Sequence, residues 1–414
     1  MSTVDLRRGL LWFLGAAGTA LLVALGALFF LGSVPWWLVD FTVYRLGADT
    51  VLHGGDLYGA ITPDMLTFTY PPFAALLFVP ATLTSLKVAG FVWIAVESLC
   101  LVGSIWLMLE AVGLRDTARR AMLTVALGLL ALLLVPVDFE FSFGQVNMLL
   151  MVLVLLDLLK GDGKRWQGVF VGIAAGIKLV PLIYLVYLAF TGRIRAAVTG
   201  LAAFLGTIAI GFALVPSGSS GFWFGSVMSM NRPGIPQSPL NQNLRGVFAR
   251  MFGTDEPVNP VWLGVAAIVG LLGLAAAIAL YRKGFQARSV VVAGLTALLV
   301  SPVSWIPHWV WAVPLLILLG ALAWRNRSAW WLALAVVTAA VFGLRLVFWL
   351  LPMEAFYVVS TPANLQLSGW HQLVSATYAI LSLGLLVILA LPALRKRDAA
   401  APAAEPAEPA AVTH

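Results

Sequence analysis

Apolar runs dominate the chain. They fall near residues 10–32, 88–111, 121–137, 146–159, 168–190, 196–215, 259–281, 289–303, 306–323, 329–351 and 372–393, with a shorter one at 71–84. Most approach the roughly 20 residues a helix needs to cross a bilayer. Counted as one crossing each, they predict an all-α polytopic membrane protein, a bundle of about 12 membrane helices. Both ends then face the cytoplasm, and the loops at 33–70, 216–258 and 352–370 face outside. Arg193/Arg195, Arg282/Lys283/Arg288, Arg325/Arg327 and Arg395–Arg397 fall inside, as the positive-inside rule prefers.

The middle of the chain resists strict alternation, which leaves Arg115/Arg119/Arg120 and Lys160/Lys164/Arg165 outside. Two pieces that enter and leave on one side would restore the rule. The candidates are 71–84, opened by Pro71-Pro72, and 168–190, interrupted by Lys178 and Pro181. Broken helices at membrane depth are tolerated where they line a cavity, and they often mark substrate sites. The re-entrant arrangement also puts Asp138, Glu140, Gln145 and Asn147 on the same outer face as the 33–70 loop. Both topologies stay open at this point.

Composition agrees with a membrane protein: 61% of residues are hydrophobic and 10% charged, against roughly 25% charged in soluble domains. The net charge of +7 therefore orients spans and is no sign of nucleic-acid binding. The single cysteine, Cys100, sits in an apolar run and excludes an intrachain disulfide. Arg7 and Arg8 before a long apolar stretch read as a signal anchor. One transmembrane domain is expected over residues 1–395, followed by a disordered Ala/Pro/Glu-rich cytoplasmic tail at 396–414. No nucleotide-binding signature such as GxxxxGK[ST] or GxGxxG is present, so any activated donor must arrive through the membrane.

Polar residues gather in five places. The stretch Trp36–Tyr70 is the first: Asp40 closes a charge-free run from Gly9 to Val39, and Arg45, Asp49, His53, Asp56 and Asp64 follow. Asp40 is either the reacting carboxylate or the N-cap of a short interfacial helix. The second is Asp138–Asn147, where Asp138 and Glu140 alternate with aromatics as in an extended segment with both carboxylates on one side. Third is Lys178, mid-way along an apolar segment, where it is an anion ligand, a buried ion pair with Asp138 or Glu140, or a side chain snorkelling to the interface. Fourth is the amide-rich loop at 231–245. Fifth is the tryptophan-rich Ser301–Trp311 around His308, an interfacial belt or a stacking platform.

Asp40-Phe-x-Val-Tyr44-x-x-Gly47-Ala48, Tyr70-Pro-Pro-Phe73, Gly144-Gln-Val-Asn147, Lys178-Leu-Val-Pro181 and Ser301-Pro-x-Ser-Trp305-x-x-His308-Trp309 follow one another in an order and spacing that resembles the polyprenol-phosphate-mannose-dependent α-(1→2)-mannosyltransferases. These belong to the C-type integral-membrane glycosyltransferases, and the resemblance covers about residues 5–395. It implies a helix bundle with short interfacial helices in its first external loop, where the family's catalytic aspartate maps onto Asp40. It implies a polyprenyl-phosphate-mannose donor, a mannosylated phosphatidylinositol acceptor and an α-1,2 product formed with inversion. Pro307 stands where many relatives carry a second histidine, which leaves His308 alone in its motif.

The chemistry agrees. A lipid phosphate is a good leaving group, so the enzyme needs a base, Asp40, and cations for the departing phosphate, for which Lys178, Arg245 and His308 are available. Tyr44, Asp56, Tyr70, Asp138, Glu140, Gln145, Asn147, Asn241, Gln242, Trp305 and Trp309 are the candidates for contacting acceptor or sugar. No cofactor is called for and no metal is required, with Asp138 and Glu140 leaving a metal site open, and a monomer in contact with membrane lipid is expected. A pentose (arabinose) transferase, a lipid transporter and a polymer ligase or lipid-binding scaffold are the alternatives.

Overall fold

The computed structural model describes residues 38–63, 66–226, 236–253, 260–352 and 369–394, together with Gly15, Gly18 and Leu367. The expected first span at 10–32, Asp64, the start of the 231–245 loop, most of the 352–370 loop and the 396–414 tail lie outside the described residues.

Regular structure among the described residues is helical, with only two isolated bridges, Ile61 to Thr67 and Asn241 to Trp305. Five helices are long and apolar enough to cross a membrane: Leu86–Ala111, Ile194–Leu214, Pro260–Arg282, Ile306–Asn326 and Thr377–Leu394. A sixth crossing is available if Thr117–Ala131 and Val135–Phe143 act as one span, bent by 79°. Sequence periodicity had run a single segment through that bend. Pro136, which has no N–H to give, sits in the first turn of the second helix and starts it afresh.

The two candidate re-entrant pieces are both short or broken. Residues 71–84 make the helix Pro72–Leu77 and the 3-10 turn Val79–Leu83. At their standard rises these reach about 19 Å, short of the ~30 Å hydrocarbon core. Residues 168–190 break at Lys178, whose backbone is extended (φ −151°, ψ 132°), between the helices Val169–Ile177 and Ile183–Phe190.

One continuous core runs through the bundle. Its centre is the helix Gln286–Val300, buried at every position from Ala287 to Leu299, beside Leu86–Ala111 and Asn147–Lys160. The helices Ile194–Leu214 and Pro260–Arg282 instead bury narrow stripes and turn residues such as Val198, Leu205, Leu271 and Leu272 outward.

Close packing sets where the Lys178 break lies. Val169–Ile177 rests directly on Ile194–Leu214, and a Cβ on Gly172 would collide with the Gly200 carbonyl oxygen. Small residues let membrane helices approach this closely. Gly172→Val should force the pair apart at a cost of about 1–3 kcal/mol. A lower midpoint of thermal unfolding of the detergent-purified protein checks this, and an unchanged midpoint would contradict it.

The helix Val39–Leu52 carries Asp40 in its first turn and buries Phe41, Val43, Tyr44, Gly47 and Ala48. Asp40 is thus not the N-cap considered from sequence. Leu38 occupies that position in a left-handed conformation (φ 58°), held by its N–H donating to the Ser142 carbonyl at 2.6 Å. That bond fixes the helix start against the Val135–Phe143 helix, and so fixes where the Asp40 carboxylate points.

Candidate active site

Four sequence-distant segments converge on one polar cluster. Gly144 ends the Val135–Phe143 helix with a left-handed turn (φ 64°), and its carbonyl accepts from Trp93 Nε1 at 2.9 Å. The turn aims Gln145 and Asn147 at the Asp40 helix on one side and at Lys178 on the other. Gln145 Oε1 accepts from the Tyr44 hydroxyl at 3.0 Å and from Asn147 Nδ2 at 3.3 Å. Its NH2 end is therefore the one that donates to the Asp40 carboxylate. Tyr44 OH also lies 3.2 Å from Tyr70 OH, and the Tyr70 ring stands 5.4 Å from Lys178 Nζ.

The Lys178 ammonium donates to Asn147 Oδ1 at 3.0 Å and meets His308 Nε2 at 2.7 Å. His308 in turn bonds through its ring to the Val303 carbonyl. Nδ1 is then the donor and Nε2 the acceptor, so His308 is neutral here and holds Lys178 instead of presenting a second cation. Asn147 and His308 seat the Lys178 ammonium, and both Glu140 and Asp40 feel its charge.

A cavity opens beside this group. Asn147, Lys178, Ser304 and His308 form its polar end, and Leu150, Met151, Val154, Pro181, Leu298 and Trp311 its apolar walls. One polar, cationic end against an apolar trough suits an amphiphile with an anionic head.

Several sequence candidates have other work. Asp138 and Glu140 are not on one side of an extended segment: in a helix, positions two apart lie about 200° around the axis. Asp138 is half-buried and pairs with Arg345. Glu140 is fully buried, Oε2 accepting from Asn147 Nδ2 at 2.8 Å and Oε1 from the Met148 N–H at 2.9 Å, so it has no free face for a sugar. Asn241 and Gln242 are spent on backbone. Asn241 Oδ1 accepts from the Ser304 N–H at 3.0 Å, and Gln242 Nε2 donates to the Pro239 and Ser375 carbonyls at 2.6 and 2.8 Å. Together with Asn243 Nδ2 donating to the Ser301 carbonyl at 2.5 Å, they pin the turn that carries His308.

Trp309 is fully buried between Phe342 and Tyr378, and Trp305 is half-buried with its backbone bridged to Asn241. Trp311 is the tryptophan that lines the cavity, stacked on Tyr184. Arg245 lies over the Trp262 ring, 5.5 Å from its centroid, and is not among the residues lining the cavity. Asp56 is exposed, its Oδ1 accepting from the Tyr58 N–H at 3.1 Å in a local turn. Among the described residues no three His, Cys, Asp or Glu side chains converge on a metal site.

Two residues escaped the sequence reading. Glu97, fully buried in the Leu86–Ala111 helix, faces Glu140. Arg250, also buried, ties the 238–241 loop to Ser375: Nε donates to Ser375 Oγ at 2.9 Å and Nη1 to the Ser238 carbonyl at 2.8 Å. A lone acid inside an apolar run was the available signal for Glu97; Arg250 gave none.

Residues 68–302 match the model of Glycosyltransferase family 87. The chain belongs to this family. Named relatives match over most of its length. A Mycobacterium tuberculosis (strain H37Rv) protein is 31% identical over 92% of this chain and 90% of its own length. It is named a polyprenol-phosphate-mannose-dependent alpha-(1-2)-phosphatidylinositol mannoside mannosyltransferase. A protein of the same name from Mycolicibacterium smegmatis is 34% identical over 87% of this chain and 85% of its own length. A polyprenol-phosphate-mannose-dependent alpha-(1-2)-phosphatidylinositol pentamannoside mannosyltransferase of M. tuberculosis (strain CDC 1551) is 34% identical over 72% of this chain and 71% of its own. No solved structure matches. As a family 87 member the chain is a multi-pass membrane glycosyltransferase, with five to six described helices able to cross.

Burial of the Asp40 carboxyl raises it from 3.8 to about 6, against the opposing hydrogen bond from Gln145 and the Lys178 charge. A base works only when ionised, so if Asp40 is the base, activity is full above that value and lost as pH falls through it. The acid limb of kcat/KM should bend near pH 6, with a roughly tenfold loss per pH unit below the bend. A limb bending near 4 would contradict the buried setting.

Proposed function

We propose that this chain transfers mannose from a polyprenyl-phosphate-mannose donor to a mannosylated phosphatidylinositol, forming an α-1,2 bond with inversion and with Asp40 as general base. The observation that carries this reading is the junction of the Asp40 cluster with a cavity that is cationic at Lys178 and apolar beyond it. The cationic Lys178 end matches the donor's phosphate in charge, and the apolar walls match its first isoprene units in chemistry. The names of these relatives support the choice of sugar and acceptor class.

Asp40 removes the proton of the acceptor's 2-hydroxyl as that oxygen attacks the anomeric carbon. The anomeric C–O bond to phosphate breaks, and its electron pair stays on the phosphate oxygen. The new negative charge develops beside Lys178, where a pre-placed cation stabilises it without reorganisation. Attack opposite the leaving group turns a β-linked donor into an α-linked product. This is the geometry of single displacement, with no acid needed for so good a leaving group.

Purified protein in lipid nanodiscs, given polyprenyl-phosphate-mannose and phosphatidylinositol tetramannoside or pentamannoside, should make an acceptor one α-1,2 mannose longer. No transfer to either acceptor, or transfer only from the pentose analogue, would overturn the reading. In this reading the reaction runs on the extracytoplasmic face of the plasma membrane, where the first loop is expected. A cysteine at position 56 in a Cys100→Ser background should accordingly react with an impermeant maleimide from outside intact cells; labelling only after the inner face is opened would reverse the orientation.

A further inference from the structure

Glu140 has no exposed surface, yet its carboxylate decides how the cavity's polar end is built. Its two oxygens have separate tasks: Oε1 accepts from the Met148 N–H at the start of the Asn147–Lys160 helix, and Oε2 accepts from Asn147 Nδ2. The Asn147 NH2 group also donates to Gln145 Oε1 at 3.3 Å. With both acceptors on that side, the Asn147 amide has one orientation, and Oδ1 is turned to the Lys178 ammonium. The two ends of an amide are nearly the same size, so only hydrogen bonding chooses between them. Reversed, Asn147 would set NH2 against NH3⁺.

We propose that Glu140 is a positioning residue for the transfer reaction: by accepting from Asn147 it aims Asn147 Oδ1, and through it the Lys178 ammonium, at the place the donor's phosphate occupies. This rests on the reading of the cavity given above. Glutamine is the informative replacement. It offers one acceptor oxygen where glutamate offers two, so it serves Met148 or Asn147 but not both. If its oxygen stays with the helix start, its NH2 faces Asn147 and drives the amide flip. Glu97 faces Glu140 from the neighbouring helix, and Lys178 and Asp40 are the other charged groups in the network.

The test uses the full chain in nanodiscs, with polyprenyl-phosphate-mannose as the varied substrate. Glu140→Gln should raise the donor KM by about tenfold and leave the acceptor KM within about twofold, a split that general loosening of the fold would not produce. In a Lys178→Ala background the same substitution should change kcat/KM by less than about twofold, because the group it positions is gone. Equal rises in both KM values, or the same loss of kcat/KM in both backgrounds, would overturn the proposal. Should Glu140→Gln not fold, Asn147→Ala carries the same two comparisons, because it leaves the Glu140–Met148 bond in place. A wild-type enzyme that transfers nothing from this donor would remove the functional reading itself, a result visible before any variant is compared.

Discussion

Asp40→Asn is expected to lower kcat by about 10³-fold, the scale lost when a general base is removed, while leaving a folded protein that unfolds no more easily than wild type. Both halves come from one feature, the burial of the carboxyl. Its value rises from 3.8 to about 6 because desolvation penalises the charged form. A group raised on folding adds stability only while it holds its proton, and that stability is lost as pH rises through the folded value. At neutral pH the ionised Asp40 therefore works against the fold, by a cost on the order of 3 kcal/mol. Asparagine keeps the shape, still receives the Gln145 hydrogen bond on its carbonyl, and carries no charge to desolvate. The expected pair of results is a near-silent transfer assay and a thermal midpoint equal to or above wild type. Retention of more than about a hundredth of wild-type kcat would exclude Asp40 as the base. A collapsed midpoint would assign it a structural role.

Much of this was legible in the sequence because its carriers are local. Among the described residues the apolar runs fall on helices, since membrane-length hydrophobic stretches have few other ways to satisfy their backbone. The breaks at 71–84 and at Lys178 announce themselves through Pro71-Pro72, Lys178 and Pro181. Asp40, Gln145, Asn147, Lys178 and His308 stood out because a polar side chain in such a chain needs a reason.

What failed to show depends on partners far along the chain. Asn241 and Gln242 looked like sugar-binding amides, but their bonds are filled by the backbone of Ser304, Pro239 and Ser375, and residue type says nothing of that. Asp138 and Glu140 mimicked a strand's alternation, whereas a proline-started helix sends them to opposite sides, one to Arg345 and one to Asn147. His308 was expected to help bind phosphate. The distance to Lys178, set by segments 130 residues apart, makes it that lysine's acceptor as well as part of the cavity's polar end.

That distance also underlies the second large effect. Lys178→Ala should raise the donor KM about tenfold and lower kcat by about 10² to 10³, the range for losing one electrostatic group at a developing oxyanion. KM reports the charge already on the donor's phosphate, and kcat reports the extra charge that arrives as the anomeric bond breaks. A lysine that merely filled space would move neither in this pattern. Lys178→Arg should recover little, because the ammonium is held between Asn147 Oδ1 and His308 Nε2 at 3.0 and 2.7 Å, a seat shaped for a compact charge and too small for a planar fork. His308→Ala should weaken donor use less than Lys178→Ala, since it frees the lysine without removing its charge. Steady-state kinetics with donor and acceptor varied in turn decide the matter. If Lys178→Ala left donor KM and kcat within about twofold of wild type, the phosphate would have to be held elsewhere, and Arg245, lying over Trp262, would be the cation to test next.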